Sequence, residues 1–84
     1  MKYKHVNELE TNYIKDFYIN IGKNVSKIRK EKNLSQLELS NLLGYKSTSQ
    51  LAGSEICYKN YHFNLEQLAK IAFVLDIEIN EFFK

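Results

Sequence analysis

Apolar residues recur along this chain at helical spacings, and the breaks between the stripes mark off its elements. Leu9, Ile14, Phe17, Ile21, Val25 and Ile28 follow one another at intervals of three to five, with Tyr13 and Tyr18 flanking them. That pattern predicts one long amphipathic helix from about Leu9 to Lys32. Leu39, Leu42 and Leu43 form a second, shorter stripe, and Leu51 is the inward residue of a third that runs to about Ile56. Leu65, Leu68, Ile71, Ala72 and Leu75 make a fourth, widened by Phe73 and Val74, and the run from Ile77 to Phe83 reads as a fifth short helix with Phe82 inward. Met1 to about Glu8 shows no period, so residues 1–10 are expected to be a flexible arm and residues 11–84 a single domain.

Local chemistry sharpens the boundaries. Ser35 can accept from the free N–H groups of a first turn, and Glu38, three residues on, completes a capping box, so a helix should open there. Gly44 supplies a residue able to close it in a left-handed conformation. Ser47, Thr48 or Ser49 then serves as the next N-cap, which makes Leu34 to Glu55 two short helices joined by a glycine corner, a helix-turn-helix unit. Between Ile56 and Asn64 lies a segment with three aromatic residues, Tyr58, Tyr61 and Phe63, which either close the core or, for Tyr61, donate to a phosphate. Asn64 caps the fourth helix and Asp76 breaks it.

Composition narrows the class. Eighty-four residues make one small domain, which buries only about 60% of the surface of its unfolded chain. There is no proline and only three glycines, which fits a helical fold better than a turn-rich β fold. The lone Cys57 cannot form an internal disulfide, and no apolar run reaches the length of a membrane span, so a cytoplasmic protein with no membrane partner is expected. Charge is unevenly spread: residues 1–59 hold ten Lys/Arg against six Asp/Glu, a net +4, and residues 60–84 hold two against four, a net −2. A basic front of this kind either attracts phosphates or is an ordinary solvated surface.

The helix-turn-helix unit resembles the lambda-repressor-like (Xre/Cro) family. Ser35, Gln36, Leu39, Ser40 and Gly44 match the opening of that family's second helix, Glu55 stands at the acidic residue closing its third, and Arg29 stands at the arginine near the end of its first. Two departures stand out. Gly44 to Glu55 is one residue longer than the family's commonest spacing, and Ser54 replaces the apolar residue that normally precedes the glutamate. The resemblance covers about residues 21–83 and implies an all-α, five-helix fold whose first helix is here extended at its N-terminal end. It also implies a structural ion pair between Arg29 and Glu55. The extension carries Ile14, Phe17 and Tyr18, which either meet a second copy of the protein, with Phe83, or fold back on the domain's own fifth helix.

Carried over from the family, the functional residues fall into two groups. Ser47, Thr48, Ser49, Gln50, Ala52 and Gly53, on the exposed side of the third helix, are the candidate base readers in a major groove. Ser35, Gln36, Tyr45, Lys46, Lys59 and Asn60 are the candidate phosphate contacts. The implied activity is that of a sequence-specific transcriptional regulator, such as a repressor, with double-stranded DNA as partner and a homodimer on a two-half-site operator. Family members this short include phage repressors, restriction-modification controllers and antitoxins. The reading side chains are small, so a protein-interaction module on the same fold, antitoxin-like, is the alternative. Catalysis is not expected: His5 and His62 are isolated, Cys57 has no base nearby in sequence, and no ligand spacing for a metal or cradle for a cofactor is present, nor any small-molecule substrate implied.

Overall fold

The computed structural model describes residues 2–84; Met1, the first residue of the expected arm, lies outside the described residues. Four α-helices carry the chain: α1 (Tyr13–Glu31), α2 (Gln36–Leu42), α3 (Ser49–Ile56) and α4 (Leu65–Leu75). The expected fifth α-helix is instead a 3-10 helix, Ile79–Phe83, tightened by the Glu81 N–H donating to the Glu78 carbonyl at 3.1 Å. Five residues are too few to offset the cost of an α-helical nucleus, and the tighter turn suffices to bury Phe82 completely.

Most α-helix boundaries have a local cause. Ser35 and Glu38 form the reciprocal capping box of α2, with the Glu38 N–H to Ser35 Oγ at 3.0 Å and the Ser35 N–H to Glu38 Oε1 at 2.9 Å. The Ser35 N–H bonded to the carboxylate, and after it the Ser35 hydroxyl beside it, hold the Glu38 pKa below its ordinary 4.5. Asn64 and Gln67 repeat the same box at α4. All four α-helices stop at a residue in the left-handed region: Asn33 after α1, Gly44 after α2, Cys57 after α3 and Asp76 after α4. After α1, α2 and α4 the next N–H reaches back to a carbonyl five residues earlier, Leu34 to Arg29, Tyr45 to Ser40 and Ile77 to Ala72, at 2.9 to 3.2 Å.

The first helix begins later than its stripe suggests. Leu9 lies outside it in extended backbone, after a 3-10 turn, Val6–Glu8, that His5 and Glu8 cap. From Tyr13, α1 runs 19 residues, about 28 Å at the usual helical rise. Its C-terminal half is in the core through Ile21, Val25 and Arg29, whereas residues 13–17 are all exposed. This projecting half contributes to a radius of gyration of 14.3 Å, against about 12 Å for a rounded chain of this length.

The core consists of Ile21, Val25, Leu39, Leu51, Phe63, Leu68, Ile71, Ala72, Leu75 and Phe82. Some stripe residues do not join it. Leu65 and Phe73, on α4, are 70% and 84% exposed, because the helix turns a narrower face inward than its wide stripe implies. Tyr58 and Tyr61 also stay outside, leaving Phe63 as the only one of the three loop aromatics in the core. The Ile79–Phe83 segment is tied to α1 by two asparagines. Asn24 Nδ2 donates to the Phe82 and Lys84 carbonyls, both at 2.9 Å, and Asn20 Nδ2 donates to the Lys84 carbonyl at 3.3 Å.

Where α1 crosses α3 the two backbones nearly touch. A Cβ at Gly22 would stand 2.5 Å from the Glu55 carbonyl oxygen and 2.9 Å from that of Ser54. Ser54, whose carbonyl takes part in this approach, is itself buried. Just below it, Arg29 Nε and Nη2 meet Glu55 Oε2 and Oε1 at 2.8 and 3.1 Å, with side chains only 7% and 3% exposed. The third guanidinium nitrogen, Nη1, donates to the Leu34 carbonyl at 2.8 Å. This two-point contact fixes the register of α3 against α1.

Two stability measurements probe this crossing. Gly22→Ala forces backbone against backbone and should cost about 3 kcal/mol or more, read as a drop in the chemical-denaturation midpoint. Arg29→Ala strands a buried carboxylate and should cost about 3–5 kcal/mol. A melting temperature unchanged in the second variant would mean that the pair contributes nothing to the folded state.

Candidate nucleic-acid interface

α2 and α3 are held at a fixed mutual angle by one carboxylate. Glu55, buried at the end of α3, accepts from Arg29 on α1, and also from Gln36 Nε2 at the start of α2, at 3.0 Å to Oε1. Gln36, a candidate phosphate contact, is therefore half-buried and already bonded on one amide hydrogen, with a second still free. Beside it Ser35 is exposed, its hydroxyl committed to the Glu38 N–H. Tyr45 is half-buried and Lys46 exposed in the corner between the helices.

α3 opens at Thr48, which caps by position but makes no side-chain cap bond; Ser47 Oγ accepts weakly from the Ser49 N–H at 3.4 Å. Of the three residues expected as N-cap, Thr48 holds the position and the helix starts at Ser49. Ser47, Ser49 and Gln50 project into solvent, and Thr48 and Ala52 are half-buried. Gly53 departs from expectation. It was expected on the exposed side of this helix, and it is buried, because the ring of Tyr61 lies over it. The Tyr61 Cδ2 atom is 2.9 Å from where a Cβ of residue 53 would stand.

The loop after α3 brings its own groups to the same side. Cys57 closes α3 in a left-handed conformation, followed by Lys59 and Asn60 with φ of +49° and +66°. Lys59 and Asn60 are exposed, and the Lys59 ammonium lies 5.4 Å from the centre of the Tyr58 ring. Together Ser47, Ser49, Gln50, Ser54, Asn60, Tyr61, His62 and Gln67 line one open concavity. Opposite, the loop is braced on α1: His62 stacks on Tyr18 with ring centres 3.8 Å apart and planes 19° apart. Tyr18, a candidate dimer residue, is therefore half-buried inside its own chain, while Ile14, Phe17 and Phe83 remain 51%, 48% and 41% exposed.

Sequence reasoning did not connect Tyr61 with Gly53 or His62 with Tyr18. A glycine in the interior of a short helix, four residues after Ser49, was the available signal for the first; the second had none. As for catalysis, burial pushes the Cys57 thiol above its ordinary 9.0, which keeps it protonated near neutral pH. Among the described residues no three His, Cys, Asp or Glu side chains converge as metal ligands, and no helix is long and apolar enough to cross a membrane.

No family model matches the chain, and no curated protein matches it. Among solved structures it is similar to the restriction-modification controller protein C.AhdI from Aeromonas hydrophila. The two share 32% identity and superpose with a TM-score of 0.69, over 79% of this chain and 96% of that one.

Proposed function

The chain belongs to the lambda-repressor-like (Xre/Cro) helix-turn-helix family, and on that premise we propose that it is a sequence-specific transcriptional regulator acting in the cytoplasm. It is a DNA-binding regulator without catalytic function that binds double-stranded DNA as a homodimer on two half-sites. The observation that carries this reading is the exposed N-terminal half of α3, with Ser47, Ser49 and Gln50 projecting from a helix whose base is locked to α2 through Glu55 and Gln36. Such a unit presents a rigid polar edge of the width a major groove admits.

In this reading Gln50 makes the strongest base contact, Ser47 and Ser49 add single hydrogen bonds, and the Thr48 and Ala52 methyls face thymine methyls. The free amide hydrogen of Gln36, the Ser35 turn, Tyr45 and Lys46 meet phosphates on one side, and Lys59 and Asn60 meet them on the other. The homodimer uses the projecting half of α1. Tyr13, Ile14 and Phe17 form its exposed apolar stripe, and Phe83 lies beside it, next to the Lys84 carbonyl that binds Asn20 one turn from Phe17.

One observation favours a second reading, the protein-interaction module. The surface between α2 and α4 is also apolar, with Leu42 and Phe73 58% and 84% exposed. The salt response separates the two. If Lys46 and Lys59 of each protomer neutralise phosphates, affinity for duplex DNA should fall about 150-fold between 50 and 200 mM salt, from a slope of about −0.9 per neutralised phosphate. Selection from random duplexes should enrich a palindrome; a flat salt response and no enrichment favour the interaction module. For the dimer, light scattering at micromolar concentration should give twice the chain mass, and Phe17→Glu should return it to one. A wild-type protein that is already monomeric removes the dimer.

A further inference from the structure

Gly53 continues the stripe of Ser49 and Gln50 along α3, four residues after the first and three after the second, so a side chain there would stand beside theirs. Glycine leaves that place bare, and the Tyr61 ring fills it. Its Cδ2, Cε2 and Cγ atoms lie 2.9, 3.7 and 3.8 Å from the missing Cβ position, yet Tyr61 keeps 55% of its surface open to solvent. The ring also borders the concavity that Ser47, Ser49 and Gln50 line. It is held there from both sides. Cys57, Lys59 and Asn60 turn the loop through left-handed backbone that costs energy for the first two, and His62 stacks on Tyr18 of α1.

From this geometry we infer that Tyr61 is a specificity-determining residue of the reading surface, a side chain supplied to α3 from the following loop in place of the one Gly53 lacks. This rests on the DNA-binding reading above. Ser47 and Ser49 are short and polar, so the Tyr61 ring is the large apolar group on this surface. The major-groove feature that an apolar surface recognises is the 5-methyl group of thymine. Tyr61 accordingly selects a thymine at one position of each half-site, at the end of the site read by the C-terminal part of α3.

The test uses the full chain and duplexes selected from random DNA, with thermal melts showing each variant folded. Wild type and Tyr61→Phe should enrich the same thymine. Tyr61→Ala should lose it, and so should Gly53→Ala, whose new Cβ displaces the ring while leaving the tyrosine in the chain. Replacing that thymine by uracil, which removes only the methyl, should weaken wild-type binding about three- to fourfold, the worth of one buried carbon. The same replacement should leave Tyr61→Ala binding unchanged. Because Thr48 and Ala52 also face thymine methyls, the uracil effect is assigned by variant: should Tyr61→Ala not fold, Tyr61→Gln, which keeps bulk over Gly53 but removes the apolar ring, should lose the effect at that one position, and an effect that persists there overturns the role of Tyr61. DNA binding in which no thymine-to-uracil change has an effect, or in which Tyr61→Ala keeps the wild-type preference, overturns the role of Tyr61 alone. No enriched duplex at all overturns it together with the DNA-binding reading.

Discussion

Arg29 and Glu55 are almost sealed from water, and two charges removed from water are tolerated only where nearly every donor and lone pair finds a partner. Here the guanidinium uses two nitrogens on the carboxylate and the third on the Leu34 carbonyl, and the carboxylate takes a further bond from Gln36. That requirement orders much else. The carboxylate reaches the arginine because α1 and α3 approach to backbone contact at Gly22. α2 is bound into the same cluster through Gln36, so three helices share one polar centre beneath the surface that α2 and α3 present.

That surface is narrow because the fold spends part of α3 on the lock. Leu51, Ser54 and Glu55 face inward, Gly53 lies under Tyr61, and the free positions are Ser47, Ser49 and Gln50 at one end. The following loop compensates by lying against the helix rather than away from it, with its left-handed residues turning Tyr61 back onto α3 and His62 onto α1.

The legible features were those set by neighbours in sequence. The Ser35 box, the Gly44 corner, the Asn64 cap and the stop at Asp76 each involve groups within five residues of one another, so residue type alone carries the signal. Burial was less legible, since a wide stripe such as Leu65, Leu68, Ile71, Ala72, Phe73 and Leu75 does not say which part of it meets the core. Phe73 and Leu65 face solvent, with no element of the described residues covering them. The final helix was misjudged as α-helical for a similar reason: its apolar spacing fits both helix types, and its shortness favours the tighter one. The glycines were the hardest. Gly22 and Gly53 are defined by what lies across from them, a backbone in one case and a ring from a residue eight positions later in the other, and neither partner is visible in the local pattern.

The asparagine bonds from α1 to the Ile79–Phe83 segment join residues 58, 60 and 64 positions apart. They close most of the chain into a ring, with α2, α3 and α4 enclosed between the joined ends. Closing so long a loop costs configurational entropy only once, and the cost grows slowly with length. Inside the ring, α2 and α3 are tied to α1 through Glu55, which accepts from both Gln36 and Arg29, so neither leaves the core without breaking that cluster. The helix-turn-helix unit thus shares the cooperativity of the complete domain, and its backbone amides should exchange with solvent through openings common to the core rather than private to the unit.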